Sequence, residues 1–160
     1  MTVRPKLTLE RTFDASIEEV WELWTTIEGI QLWWGPEGFS VVVNALDLRP
    51  GGTLVYAMSA TRAEEVEYMA QAGMPLTTEH TLTFTEVDPP RRLAYHDLAD
   101  FIPGVEPYEV DTVIDLEQVE EGVRVVITFD AMHDDHWTRL ARLGRESELE
   151  RLAKVLAARE

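Results

Sequence analysis

The hydrophobic pattern changes period several times along this chain. Leu7, Leu9, Arg11 and Phe13 alternate with Thr8, Glu10 and Thr12, which predicts a half-buried strand. Arg11 falls on the apolar side of the alternation, so it is expected near a strand end beside a carboxylate or carbonyl. Asp14-Ala15-Ser16 breaks the strand. Ser16 with Glu19 three residues later makes a capping box, and Val20, Trp21, Leu23, Trp24 and Ile27 form the inward stripe of a short helix. Gly29 is expected to interrupt it, and a second short helix carries Leu32, Trp33 and Trp34. The chain is organised around the stretch Trp33-Trp34-Gly35-Pro36-Glu37-Gly38-Phe39. Adjacent helical residues point about 100° apart, so one Trp is expected in the core and the other at a rim, each indole N–H needing a partner when buried. Gly35-Pro36 is expected to stop the helix.

Residues 39–48 and 53–60 read as a hairpin about the turn Arg49-Pro50-Gly51-Gly52, with Leu54, Tyr56 and Met58 on one face. Residues 62–72 switch to helical spacing before Gly73 and Pro75. A helix here interrupts a meander, and its Val66, Met69 and Ala70 are expected to face the barrel opening, either as a lid or as a fixed helix that patches the end of the core. Strand patterning then resumes. His80, Leu82 and Phe84 share a face, as do Leu93, Tyr95 and Asp97. Phe101-Ile102-Pro103-Gly104 leads into a strand with Val110, Thr112, Ile114 and Leu116 inward. After the turn Glu120-Glu121-Gly122, Val123, Val125, Ile127 and Phe129 face in. Asp134 or Asp135 caps a final helix with the stripe Trp137, Leu140, Ala141, Gly144, Leu149, Leu152 and Leu156. At about 25 residues it is roughly 37 Å long. The pattern predicts an α+β fold: two short helices after the first strand, and a curved seven-stranded antiparallel sheet wrapped around a long C-terminal helix. A twisted sheet of that size cannot stay flat.

The 160 residues suffice for one domain, 1–160, burying roughly 70% of its unfolded surface. Acidic residues outnumber basic ones 30 to 14, a formal net charge of −16. Such a surface repels nucleic-acid phosphates and anionic head groups, so no nucleic-acid partner is expected. No apolar run reaches the roughly 18 residues of a membrane span. Cysteine is absent, which removes disulfides and zinc–thiolate sites. Nothing apolar follows the first residues as a signal peptide would require, and a cytoplasmic location is expected.

The runs FDASIEEVWELWT, WWGPEGF, LDLRPGG, DPPRRLAY and ELERLAKVLA resemble bacterial proteins related to the C-terminal domain of the Hsp90 ATPase activator. Those proteins belong to the START-like (SRPBCC, helix-grip) superfamily. The resemblance implies an incomplete barrel gripping the C-terminal helix, with a cavity between them that takes hydrophobic small molecules. It leaves two other functions open: a co-chaperone-like protein-interaction module, and a cyclase- or hydrolase-type enzyme using Asp97. Such proteins usually carry Gly-Trp at the middle of the last helix, where this chain has Gly144-Arg145. The change leaves extra room or puts a charge beside the cavity mouth.

On the sheet parities and this resemblance, Trp34, Tyr56, Met58, His80, Leu82, Phe84, Tyr95, Asp97, Tyr108, Trp137 and Leu140 are the candidate ligand-binding residues. An apolar or amphipathic molecule would bury against the aromatics, and His80, Tyr56 and Asp97 would orient its polar group. No catalytic residue and no cofactor is assigned. His133-Asp134-Asp135-His136 has two His at a helical spacing that a metal could use. The Asp residues equally suit the helix start and both His suit solvent, and no metal is expected. Asp97 has its own alternative, a strand-end ion pair with Arg11. Edge strands make a homodimer possible.

Overall fold

The computed structural model of the protein describes residues 4–35, 38–100, 102 and 104–159. Pro36, Glu37, Phe101 and Pro103, named above, lie outside the described residues. The elements are β1 (Lys6–Phe13), α1 (Ile17–Thr25), α2 (Ile27–Trp33), β2 (Phe39–Leu46), β3 (Thr53–Ala60), α3 (Ala63–Gln71), β4 (Thr77–Asp88), β5 (Arg92–Ala99), β6 (Tyr108–Val119), β7 (Gly122–Asp130) and α4 (Asp135–Ala158). The strands form one seven-stranded antiparallel sheet in the order β1-β7-β6-β5-β4-β3-β2. Strands β2 to β7 run as a meander, and β1 closes back onto β7 with Leu9 opposite Ile127. This is the α+β fold that the hydrophobic pattern predicts, in the helix-grip arrangement that the resemblance implies.

Local chemistry explains the two short helices. Ser16 Oγ accepts the Glu19 N–H at 3.1 Å, and the Glu19 carboxylate accepts the Ser16 N–H at 3.2 Å, which satisfies two end donors reciprocally. The break between α1 and α2 falls at Thr26 and not at Gly29. Thr26 leaves the helical conformation, caps α1, and accepts the Gly29 N–H on its hydroxyl at 3.0 Å. Gly29 serves packing instead: a Cβ there would sit 2.7 Å from the Glu22 carbonyl oxygen and the Leu23 Cα. It lets α2 lie directly on α1.

The two tryptophans also differ from expectation, since both are buried, Trp33 at 1% and Trp34 at 6% exposure. The 100° problem is avoided because the helix ends between them. Trp34 is the C-cap with an extended backbone (φ −63°, ψ 141°), and Gly35 then takes φ +86°, which favours glycine. Trp33 donates its indole N–H to the Leu23 carbonyl at 2.8 Å. Trp24, Trp33 and Trp34 stack edge to face in series, with centroids 4.5 and 5.3 Å apart.

The main core joins Leu54, Phe84, Leu93, Ile114, Ile127 and Phe129 of the sheet to Leu23, Ile30 and Trp33 of the short helices. From α4 only Leu149, Leu152 and Leu156 are buried in it. Arg11 ion-pairs Glu150 of α4 and lies over the Phe13 ring at 5.4 Å. Its carboxylate partner is therefore not Asp97.

Candidate functional site

Helix α4 grips the sheet with one half only. Asp134 starts it, accepting the Trp137 N–H at 2.8 Å. Trp137, Leu140, Ala141 and Gly144 then face a cavity of about 420 Å³ between the helix and β3 to β7. Gly144 contributes by what it lacks: a Cβ there would meet nothing within 4 Å. The far end of the cavity is closed by Tyr68 and Met69 of α3 and by Met74 just beyond it.

Sheet register decides which strand residues reach this space. Leu54, Leu82, Asp97 and Val110 are cross-strand neighbours in one row over four strands. One step further in, Phe84, Tyr95, Thr112 and Phe129 form the next row. On the outer side Tyr56 pairs with His80 and Met58 with Thr78. The Tyr56 and His80 rings stack with centroids 5.2 Å apart. His80 Nε2 and the Thr78 hydroxyl lie 2.7 Å apart in a hydrogen bond.

An aromatic wall and a charged group meet at the inner end. Trp34 stands edge-on to Tyr56 and tilted to Tyr95, with centroids 6.1 and 6.3 Å away. Burial pushes the Tyr56 hydroxyl far above the ordinary phenol pKa, against the Trp34 side chain that hydrogen-bonds it. Burial likewise pushes Tyr95 up to about 12, against the pull of Arg145. Both phenols therefore act as neutral hydrogen-bonding groups.

Arg145 crosses from α4 to the sheet, donating from Nη2 to the Thr112 hydroxyl at 2.9 Å, with its guanidinium 4.3 Å over the Phe129 ring. Thr112 is 1% exposed, so the charge lies at the cavity's inner wall and not beside an outer mouth. Asp97 and Glu148 share this end of the cavity. Burial raises both carboxyls, with Arg145 opposing it in each case, and Glu148 reaches about 7. Burial also lowers the His80 imidazole below its ordinary value, so His80 is neutral near pH 7. Asp130 lines the cavity too, but its charge is spent elsewhere. Burial works against its carboxylate, yet Lys6 at 2.6 Å and the Asp111 N–H at 3.0 Å hold its pKa below the usual range.

Of the expected residues, Trp34, Tyr56, Met58, His80, Leu82, Tyr95, Asp97, Trp137 and Leu140 come together on the cavity wall. Phe84 and Tyr108 do not. Phe84 is 2% exposed and lies in the main core, edge-on to Tyr95 at 6.5 Å. Tyr108, at the start of β6, packs instead against a second small cluster with Ala99, Ile102, Val110 and Met132. Its hydroxyl meets His133 Nδ1 at 2.8 Å and accepts the His133 N–H at 3.1 Å, while Arg4 covers its ring at 4.5 Å.

In α3, Met69 faces the cavity as expected, but half-buried Val66 and exposed Ala70 are not on its wall, and Tyr68 is the second contact. His133 and His136 diverge, His133 toward Tyr108 and Asp134, and His136 edge-on to the Trp137 ring at 5.9 Å. Glu148 is the group that sequence reasoning missed. A signal for it existed: Trp137, Ala141, Gly144 and Glu148 repeat at four, three and four residues, which puts an acid on the inward stripe.

The sequence profile of the family described as activator of Hsp90 ATPase homolog 1-like protein matches residues 14–157. The chain belongs to this activator of Hsp90 ATPase homolog 1-like family. Solved structures agree on the fold. A protein from Chromobacterium violaceum is 22% identical with a TM-score of 0.76, covering 95% of this chain and 97% of that one. A family protein from Silicibacter pomeroyi is 23% identical with a TM-score of 0.74, covering 98% and 100%. An activator-like protein from Aeromonas hydrophila, solved in solution, is 20% identical with a TM-score of 0.70, covering 94% of each chain. At these identities the likeness shows the START-like fold. The chain matches no curated protein. No described helix is long and apolar enough to cross a membrane.

Proposed function

We propose that residues 1–160 act as one binding domain that takes up a small amphipathic molecule between the sheet and the N-terminal half of α4. The observation that carries this reading is the cavity of about 420 Å³ at the point where the helix leaves the sheet. Small-molecule sites run from roughly 300 to 1,000 Å³, apolar walls with a few convergent polar groups. Two features support an apolar body for the ligand. Met58, Met69, Met74 and Met132, every methionine after Met1, line the space. Methionine is unbranched and adapts to irregular shapes. Trp34, Leu82, Trp137 and Leu140 add apolar area, worth about 25 cal/mol per Å² removed from water. Asp97, Glu148, Arg145 and the two tyrosines would receive the polar end, since an unpaired polar group would be costly to bury. Helix α3 closes one end with few core contacts, as a lid does.

Native mass spectrometry of protein from its own host tests the reading directly. The wild type should carry a small molecule, and Leu140→Trp, which fills the cavity, should not. Nile red, a neutral apolar dye, serves as a second probe. It should fluoresce with the wild type and much less with Leu140→Trp. A wild type that carries nothing and does not enhance the dye would overturn the proposal.

A further inference from the structure

Charge inside the cavity is unbalanced, and this points to the chemistry of the ligand's polar end. On the reading that the cavity takes an amphipathic molecule, we infer that the molecule is a cation, a protonated amine whose N–H groups meet Glu148 and Asp97 and whose charge faces the rings of Trp34, Tyr56 and Tyr95.

Two carboxyls, Asp97 and Glu148, face one guanidinium, that of Arg145. Arg145 is already committed to the Thr112 hydroxyl, the Phe129 ring and Tyr95. The other nearby cation, Arg151, donates to the backbone carbonyls of Trp34, Gly35 and Phe39 at 3.3, 2.8 and 3.1 Å. Asp130 is matched by Lys6. Arg151 also acts on Glu148 through space but lies outside the cavity lining, where Asp97 and Glu148 outnumber Arg145. No protein group among the described residues donates a hydrogen bond to Glu148; the charges acting on it are Arg145, Arg151 and Asp97. Asp97 has its own backbone N–H. A half-buried carboxylate whose open acceptor positions face a cavity selects a donor of positive charge.

The aromatic wall is an independent observation. The Tyr56 and Tyr95 rings lie 6.1 and 6.3 Å from that of Trp34, edge-on and tilted to it. Mutually inclined rings with electron-rich faces attract an organic cation. An anionic head group finds the opposite: a surplus of acid, and an arginine already bonded to the protein.

The test uses the full chain and three amphiphiles with the same tail, decylamine, decanol and decanoate, below their micellar concentrations, each displacing Nile red. Decylamine should bind about tenfold or more tightly than decanol, and decanoate more weakly than decanol. Glu148→Gln keeps the shape and removes a buried charge, so it should fold. In it the amine-to-alcohol ratio should fall toward one.

Raising the pH from 6 to 8 ionises Glu148, whose pKa is pushed up to about 7, while decylamine stays protonated. Amine binding should tighten by up to about tenfold over this range, and decanol binding should not. The facing groups that could add to the profile are Asp97, Arg145, Arg151, Tyr56, Tyr95 and His80. Glu148→Gln separates their share. Decanol or decanoate binding as tightly as the amine would overturn the inference and leave the binding cavity standing. Displacement by none of the three, with no dye uptake, would overturn the binding reading itself.

Discussion

The two halves of α4 share one backbone and one stripe but have opposite surroundings. Past Glu148, Leu149, Leu152 and Leu156 are buried against the sheet and the short helices. Before it, Trp137, Leu140, Ala141 and Gly144 face open volume. The first half of the helix thus holds residues that a tight core would not accept, an arginine and an acid on the inward side and a glycine in mid-helix. The second half buries leucines, and its half-buried Arg151 is bonded to backbone carbonyls. Interiors pack to crystal density, so a helix that leaves a cavity must be held by its other end. Arg151 and the Arg11–Glu150 pair add to that hold.

The contrast can be broken by mutation, and the largest effect belongs to the packed half. Leu152, at 0% exposure, should lose about 2–5 kcal/mol on change to Ala, read by urea unfolding. A loss below about 1 kcal/mol would mean that this half is as loose as the other.

Glu148→Gln should act with the opposite sign. Folding raises the Glu148 pKa from 4.5 to about 7. The folded state therefore keeps a proton that the unfolded chain releases. The stability linked to that proton is full below about pH 4.5 and is lost as pH rises to about 7. Above pH 7 the Gln variant should exceed the wild type by up to about 3 kcal/mol, and the gap should close at pH 4.5. Unfolding at pH 5 and pH 8 checks this. An equal difference at both would show that Glu148 is not the titrating group.

A pair of glycine substitutions sharpens the comparison further. Gly29→Ala forces a Cβ against backbone at 2.7 Å and should cost about 1–3 kcal/mol. Gly144→Ala meets open space and should gain about 0.5–1 kcal/mol from helix propensity. Melting temperatures moving in the same direction would contradict the packing described for α4.

The smallest effect concerns α3, which closes the cavity end. Arg62 precedes it, a side chain that cannot accept a capping bond. Its amides should exchange faster than those of β3 and β4, and slow when decylamine or decanol is bound. Protection equal to the strands, unchanged by either, would make α3 a fixed part of the fold.

Periodicity carried the architecture. The alternation through Val110, Thr112, Ile114 and Leu116, the capping box at Ser16 and Glu19, and the Asp134 cap are local signals, and each element forms where they stand. Strand parity also put Tyr95 and Asp97 on the face that lines the cavity. Parity alone could not separate Phe84 from Leu82, which share it. That depended on which part of the β4 face the core covers, Phe84 packing into it beside Tyr95 while Leu82 reaches the cavity. Nor could the sequence place Trp34, because its burial follows from a helix ending one residue earlier than the stripe implies.

Sequence by itself determined which residues point inward, because side-chain direction is set by the helix and strand periods. Tertiary structure decided which inward residues meet a core and which meet a cavity, and it brought Asp97, Arg145 and Glu148 from a strand and a helix into one electrostatic group. Separation along the chain carries no information about such an encounter. It depends on where a rigid helix of 24 residues crosses a curved sheet, and that crossing is fixed by the combined packing of α1, α2, α4 and the sheet.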